Sequence, residues 1–115
     1  MRYEWNIRKN RENQRKHGVS FELAARVFDD ESRLIRVDRV DETGEQRWHA
    51  IGAVSPRPGT RAVLIVAHVY RYFGDRDASP ESPEEERDGE EIVRIISARP
   101  ASNDELRRYE EQAVD

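Results

Sequence analysis

The strongest constraint on the fold is a strand followed directly by a helix, in residues 91–109, EIVRIISARPASNDELRRY. Apolar residues occupy both alternating sets of positions between 92 and 97, which is typical of a well-buried strand. Pro100 ends this strand, and Ser102 with Glu105 forms a capping box that starts a final helix. The chain therefore needs a sheet around this strand and a helix beside it.

Two arginines in this strand, Arg94 and Arg99, indicate a binding site beside the core. An arginine is seldom fully buried without a partner, and a strand that ends in arginine beside a helix start can bind an anion. Because the two residues are five positions apart, strict alternation predicts opposite faces, unless the strand bends at its end. The alternative is a salt bridge from one of them to Asp104 or Glu105.

The rest of the chain predicts two more helices and three more strands. Asn6 caps a helix from Ile7 to His17 that ends at Gly18, and Ser20 caps a second helix from Phe21 to Phe28. Alternation and turn residues predict strands at 34–40, 46–54 and 61–72, and residues 2–5 can form a short edge strand. The predicted fold class is α+β, with two N-terminal helices, a four-stranded antiparallel sheet and one C-terminal helix.

The composition indicates one small domain. The 115 residues fit a single domain, 1–115, and include no cysteine, which excludes disulfides and thiolate metal sites. No apolar run reaches the length of a signal peptide or of a membrane span. These features predict a cytoplasmic protein without membrane contact.

Charge is segregated along the chain. Residues 75–91 hold nine acids and two arginines, so the net charge of -4 leaves +3 for the rest. We predict a disordered acidic insertion at 73–91, since this stretch is too polar to offset its ordering entropy. Residues 1–17 hold six Lys or Arg and two Glu. Arg8, Arg11 and Arg15 share one face of the first helix, which is either solvated or a phosphate-binding surface.

The candidate functional residues are cations, histidines and tyrosines, without metal-ligand spacing, a phosphate loop or a nucleophile elbow. This set suits metal-independent RNA cleavage. A base removes the 2′-OH proton, cations stabilise charge on the phosphoryl oxygens, and an acid protonates the leaving 5′ oxygen. Arg47 and His49 share a strand face and form a suitable pair for this chemistry, whereas His68 lies among apolar residues and fits the core.

Two blocks carry a family resemblance. The first contains KHGVSFE, residues 16–22, and the second contains RIISAR, residues 94–99. Further matching positions are Trp5-Asn6, Ala25, Val27 to Asp30, Glu45, Arg47, Ile51-Gly52, Glu105, Arg107, Arg108 and Tyr109. Together these blocks resemble the BrnT toxin family of bacterial type II toxin–antitoxin systems, over nearly the whole chain outside 73–91.

The resemblance implies a RelE-like α+β fold and a toxin that cleaves RNA and arrests growth. It implies no cofactor. It also implies a BrnA-like antitoxin that carries the DNA-binding part, forms a hetero-oligomer with the toxin and represses the operon, so that this chain alone binds no DNA.

The candidate residues come from two sources. The resemblance carries over Lys9, His17, Arg47, Arg94, Ser97, Arg99 and Tyr109, and the residue patterns add the others. The catalytic candidates are Lys9, His17, Arg47, His49, Arg94 and Arg99. The RNA-binding candidates are Arg8, Arg11, Arg15, Lys16, Ser97 and Tyr109, and no residue is assigned to a metal.

The sequence departs from the family pattern at three places. Asn6 stands where Asp is common after Trp, Pro100 follows Arg99 where a basic residue is common, and 73–91 exceeds the usual length. The insertion suggests an acidic segment that folds over the basic face and mimics RNA. The first and third departures favour an alternative, a module that binds RNA or an acidic partner without catalysis. A structural partner that pairs through an open sheet edge is a further alternative.

Overall fold

The computed structural model describes residues 2–73 and 90–113, and five strands of these residues form one sheet. The elements are β1 (Arg2–Glu4), α1 (Ile7–His17), α2 (Phe21–Ala25), a 3₁₀ helix (Arg26–Asp29), β2 (Leu34–Val40), β3 (Gln46–Val54), β4 (Ala62–Phe73), β5 (Glu90–Pro100) and α3 (Asn103–Ala113). Across the sheet the strand order is β1-β5-β4-β3-β2. None of the helices in this part of the chain has the length and apolar character needed to cross a membrane.

The predicted four-stranded antiparallel sheet is wrong in strand number and in direction. The chain begins with a strand ahead of its two N-terminal helices, and this strand, β1, runs parallel to β5 with Tyr3 opposite Val93. The other neighbouring strands pair antiparallel, so the sheet is mixed. Antiparallel hairpins are marked by the turns that join them. A parallel pairing between two ends of the chain has no such local signal.

Helices cover the two faces of the sheet unequally. On the first, the core face, the buried side chains include Phe21, Ala24, Val27, Ala50, Leu64, Val66, Val93, Ile95 and Ala98. On the other face, Ile51 and Ile65 pack against Tyr109 of α3. The rest of this second face is not covered by α3. We call it the open face because α3 does not reach it. It includes Ala67 and Val69 of β4, and Val69 itself is only 1% exposed.

A β-bulge interrupts the pairing of β5 with β4. Ser97 pairs with Ala67, whereas Ile95 pairs with His68. Ile96 is therefore an extra residue in β5, and the alternation of side chains shifts by one position there.

The bulge places Arg94 and Arg99 on the same face of the sheet. Arg94 lies opposite Val69 and Arg99 lies opposite Ile65. These two partners are four positions apart on β4 and lie on the same face of the sheet as Ala67. The expectation that strict alternation separates the two arginines is therefore wrong, because it did not allow for the extra residue between them.

Two predicted boundaries differ from the structure. The second helix, predicted from Phe21 to Phe28, is α-helical only to Ala25 and continues as the 3₁₀ helix. The predicted acidic insertion, 73–91, lies mostly outside the described residues, and both of its ends belong to strands β4 and β5.

The 3₁₀ helix packs closely against β3 at Gly52. A Cβ atom on Gly52 would lie 2.8 Å from Cγ1 of Val27, 3.1 Å from the Val27 carbonyl oxygen and 3.3 Å from Oδ2 of Asp30. Asp30 in turn accepts a 2.8 Å hydrogen bond from the N–H of Ala53. The absence of a side chain at position 52 allows this contact.

We expect Gly52→Ala to lower the free energy of unfolding by about 1–3 kcal/mol, the usual effect of overpacking a tight contact. The reason is that Val27 is fully buried and that its backbone carbonyl also lies within the tight contact, so both would have to shift. Urea unfolding followed by circular dichroism measures the change. Ser55→Ala, an exposed position just after β3, is the control. Equal stability of the Gly52 variant and the wild type would contradict this packing.

Candidate active site

Candidate residues of β3 and β5 face each other across β4 on the open face. His49 lies opposite Ala67, and Ala67 lies opposite Ser97. His49 and Ser97 are thus two strand spacings apart, about 10 Å between their backbones. Arg47 shares the face of His49, and Arg94 lies on the same face near Ser97. Ala67, which lies between the two sets, has a small side chain and is partly exposed.

A groove between α1 and the bulge of β5 holds a second set of candidates. It is lined by Lys9, Glu12, Asn13, Lys16, His17, Ile96 and Ser97, and we call it the α1 groove. Lys9 and Lys16 are seven positions apart and therefore share a side of the helix. Ser97 is exposed and belongs to this groove and to the row that contains His49. The bulge therefore joins the groove to the open face.

Asparagine side chains hold α1 on the sheet. The amide of Asn13 donates hydrogen bonds of 2.8 Å to the Val19 carbonyl and 2.7 Å to the Ala98 carbonyl, and its oxygen accepts one of 3.1 Å from the Ala98 N–H. The Asn10 oxygen accepts a 2.9 Å hydrogen bond from the Phe21 N–H. Sequence reasoning missed both residues. The available signal was a helix with almost no apolar residues and with two asparagines three positions apart.

The start of α1 explains the departure at Asn6. Its side-chain oxygen accepts a 3.1 Å hydrogen bond from the N–H of Lys9, so Asn6 is the N-cap. Asparagine and aspartate cap helices about equally well. The replacement of the family's usual carboxylate therefore preserves the capping contact.

Arg94 of β5 is held by Glu4 of β1. Its Nη1 donates a 3.3 Å hydrogen bond to Oε1 of Glu4, which also accepts one of 2.7 Å from Arg71. The side chains of Arg94 and Glu4 remain 36% and 34% exposed. The guanidinium is therefore oriented by a carboxylate and still accessible to a phosphate.

Arg47 and His49 of β3 also have carboxylate neighbours. Nε of Arg47 lies 3.5 Å from Oδ2 of Asp41, and Nε2 of His49 lies 3.4 Å from Oδ2 of Asp38. A hydrogen bond from the Thr43 hydroxyl is the largest of several contacts that lower the pKa of Asp41 to about 2. Asp41 is therefore ionised at neutral pH and balances the charge of Arg47.

Arg99 forms a two-pronged ion pair with Glu105 at the start of α3. Its Nη1 and Nη2 donate to the two carboxylate oxygens at 2.7 and 2.9 Å. Glu105 also accepts a 2.8 Å hydrogen bond from the Ser102 N–H, so the predicted capping box is present. The hydrogen bond from Arg99 is the main cause that lowers the pKa of Glu105 to about 2. A phosphate that binds Arg99 must share the guanidinium with this carboxylate.

Three arginines of α1 lie apart from both surfaces. Arg8, Arg11 and Arg15 are exposed. Helical spacing places them on the side opposite Asn10 and Asn13, which face the sheet. The structure therefore brings them together with one another, but with neither the open face nor the α1 groove.

Tyr109 is buried and has a structural contact. Only 4% of this residue is exposed, and its hydroxyl donates a hydrogen bond to Asp30. Burial, followed by this hydrogen bond, raises the pKa of Tyr109. Burial acts to raise the pKa of Asp30, but hydrogen bonds from Ala53, Tyr109 and Ser32 lower it overall. Tyr109 therefore links α3 to the end of the 3₁₀ helix.

The arrangement offers cations and imidazoles for chemistry on a phosphate. Among residues 2–73 and 90–113, no three His, Asp or Glu side chains gather in a way that could hold a metal ion. Over the same residues, Lys9, Lys16 and His17 have no ion pair, whereas Arg47, Arg94 and Arg99 each have one. The cations of the α1 groove are thus not committed to a carboxylate, although Glu12 also lines this groove.

A family model described as the ribonuclease toxin, BrnT, of type II toxin-antitoxin systems matches residues 5–105. No curated protein matches the chain. The matched residues include α1, strands β2 to β5 and the start of α3. Both the open face and the α1 groove lie within this stretch.

Proposed function

Because this chain belongs to the BrnT family of ribonuclease toxins of type II toxin–antitoxin systems, we propose that it cleaves RNA without a metal ion, where the open face meets the α1 groove. One observation supports this location above the others. The bulge at Ile96 places Arg94 and Arg99 on the same face of the sheet as Arg47 and His49. Ser97, next to the bulge, lines the α1 groove. A phosphodiester at the bulge can contact both surfaces.

The reaction uses the 2′-OH of the RNA as nucleophile. A base takes its proton, the 2′ oxygen bonds to the adjacent phosphorus, the bond to the 5′ oxygen breaks, and an acid protonates that oxygen. The products are a 2′,3′-cyclic phosphate and a 5′-OH. An imidazole can both accept and donate a proton, so we assign proton transfer to His49 on the open face and His17 in the groove.

The cations act on the phosphoryl oxygens. Arg47 and Arg94 stabilise the negative charge that builds up on the phosphoryl oxygens during attack. Arg99 also stabilises this charge when its guanidinium binds the phosphate and Glu105 at the same time. Lys9, Lys16 and Ser97 bind the phosphate from the groove side. Arg8, Arg11 and Arg15 hold flanking RNA by charge alone.

The family supports a proposal for the biological role. We infer a single toxin domain, 1–115, that acts in the cytoplasm and arrests growth by cutting RNA, with an acidic insertion at 73–91. A BrnA-like DNA-binding antitoxin neutralises it in a hetero-oligomer.

Cleavage of a generic single-stranded RNA in EDTA tests the activity and the site together. We expect the wild type to produce ends with a 2′,3′-cyclic phosphate. We expect Arg94→Ala to lower the rate about 100-fold, since charged donors to the phosphoryl oxygens act mainly in the transition state. Arg57→Ala is the matched control, because Arg57 is exposed in the turn between β3 and β4.

Two results would contradict the proposal. Cleavage that disappears in EDTA and returns with magnesium would refute the metal-independent mechanism. Equal cleavage rates for the wild type and Arg94→Ala, with circular dichroism showing that both are folded, would show that the active site lies elsewhere.

The ion pairs of the open face favour a second candidate function. Arg47, Arg94 and Arg99 are each already balanced by a carboxylate. A surface of this kind suits a module that binds RNA without cutting it. Retention of labelled RNA on a filter, without cleavage products under any of the conditions above, would support this function.

A further inference from the structure

Within the described residues, the two edges of the sheet differ in how their backbone groups are hydrogen-bonded. At one edge, the outermost strand β1 is only three residues long, and Asn13 of α1 makes hydrogen bonds to the N–H and the carbonyl of Ala98, in the part of β5 that β1 does not pair with. At the other edge, β2 pairs only with β3. An open edge strand is a template for pairing with another chain.

Apolar side chains extend along this open edge. Val37 and Val40 of β2 are 61% and 59% exposed. Val37 lies opposite Trp48 in the register, and the ring of Trp48 contacts that of Tyr70 at 5.8 Å between centroids. On the core-face side of the sheet, Val37 and Val40 therefore form an exposed apolar strip along β2, which the N-terminal helices do not cover.

The other side of β2 carries two opposite charges on either side of Val37. Arg36 lies opposite His49 in the register, and Asp38 lies 3.4 Å from His49. Both therefore lie on the face of His49. Among the described residues, Arg36 has no ion-pair partner, and the strand reads Arg36-Val37-Asp38 with the charges placed symmetrically about the valine.

We propose that β2 pairs antiparallel with β2 of a second copy of this chain, in a register centred on Val37. In this register Val37 lies opposite the partner's Val37, and Arg36 lies opposite the partner's Asp38. The two-fold axis repeats that ion pair on the other side. Opposite residues of an antiparallel pair are close enough for such contacts. The sheets of the two copies then join into one.

The self-complementary charges are what favour a second copy over another acidic or apolar chain. A different partner would have to supply both an anion for Arg36 and a cation for Asp38 at the same spacing. The same pairing brings the partner's Arg36 beside Asp38 and His49. In the dimer each open face therefore gains a cation from the other copy.

Sedimentation equilibrium of the purified chain tests the pairing, from low to high micromolar concentration. We expect the mass to rise with concentration toward twice the chain mass of 13.5 kDa. Val37→Lys should raise the dissociation constant about tenfold or more, since it places like charges opposite each other at the centre of the interface. Ile7→Lys is the matched control, because Ile7 is 67% exposed on α1.

A charge exchange makes the test specific for the register. Arg36→Asp and Asp38→Arg should each weaken the dimer, because each places like charges across the seam. The double variant should restore the wild-type dissociation constant. A wild type that stays monomeric at every concentration would overturn the proposal. So would a dimer that Val37→Lys leaves unchanged or that the double exchange fails to restore.

Discussion

Replacing Asn13 with alanine is expected to lower the free energy of unfolding by about 3–4 kcal/mol, since three hydrogen bonds are lost and two buried backbone groups of Ala98 lose their partner. Asn13 is 6% exposed, so water cannot readily replace these contacts. The loss is concentrated where α1 meets β5. Few other side chains attach this helix, because its buried residues are Asn10 and Asn13.

Urea unfolding of the wild type and three variants measures the effect. Glu12→Ala, at the neighbouring exposed position, is the control and should change stability little. Asn13→Asp should be at least as harmful as the alanine variant. Its carboxylate would still accept from the Ala98 N–H, but it would face the carbonyls of Val19 and Ala98 without a donor. A loss below about 1 kcal/mol for the alanine variant would contradict the attachment described.

The fold should also lose about 3 kcal/mol of stability between pH 6.5 and pH 4 through His68 alone. His68 is fully buried between the rings of Phe28 and Tyr70, at 4.8 and 5.0 Å. Its Nδ1 lies 3.1 Å from the Val66 carbonyl, and its Nε2 has no hydrogen-bond partner among the described residues. A proton on Nε2 would be buried without an acceptor.

The direction of the pH effect follows from proton binding. Burial lowers the pKa of folded His68 from 6.5 to about 4. Between these values the unfolded chain binds the proton and the folded chain does not. Stability is therefore greatest above pH 6.5, falls as the pH drops toward 4, and is not reduced further by this group below that. Glu105 and Asp41, with pKa values of about 2, respond at lower pH.

Urea unfolding at a series of pH values, for wild type and His68→Phe, isolates this contribution. The difference between the two slopes from pH 6.5 to 4 belongs to residue 68, because His17 and His49 are present in both proteins. Parallel slopes would refute the assignment. Phenylalanine fits the aromatic surroundings, so the variant retains a packed core.

Local elements of this fold were predictable because their signals are local. The bounds of Leu34–Val40, Gln46–Val54 and Ile7–His17 agree with the structure. Alternation, turn residues and helix caps lie within the elements they specify. The pairing of β1 with β5 and the bulge at Ile96 depend on contacts between distant parts of the chain, and neither has a sequence pattern of its own.

The sequence predicted the family of the protein, but it predicted the geometry of the candidate site less well. The KHGVSF and RIISAR motifs indicated the BrnT family, and the match over residues 5–105 confirms this. The roles of individual residues depend on side-chain partners, which the sequence does not show. Tyr109 was predicted to bind RNA, but its hydroxyl contacts Asp30. Asn13 was not singled out, although two asparagines three positions apart in a helix with almost no apolar residues were a signal that could have found it.

The contact between Arg99 and Glu105 has a consequence for how this sequence can change over time. Glu105 serves two neighbours at once, the guanidinium of Arg99 and the backbone N–H of Ser102 that begins α3. A mutation at position 105 would therefore alter both the presentation of the arginine and the start of the helix. Positions 99, 102 and 105 are therefore physically coupled, and we expect a substitution at Glu105 to disturb both contacts together.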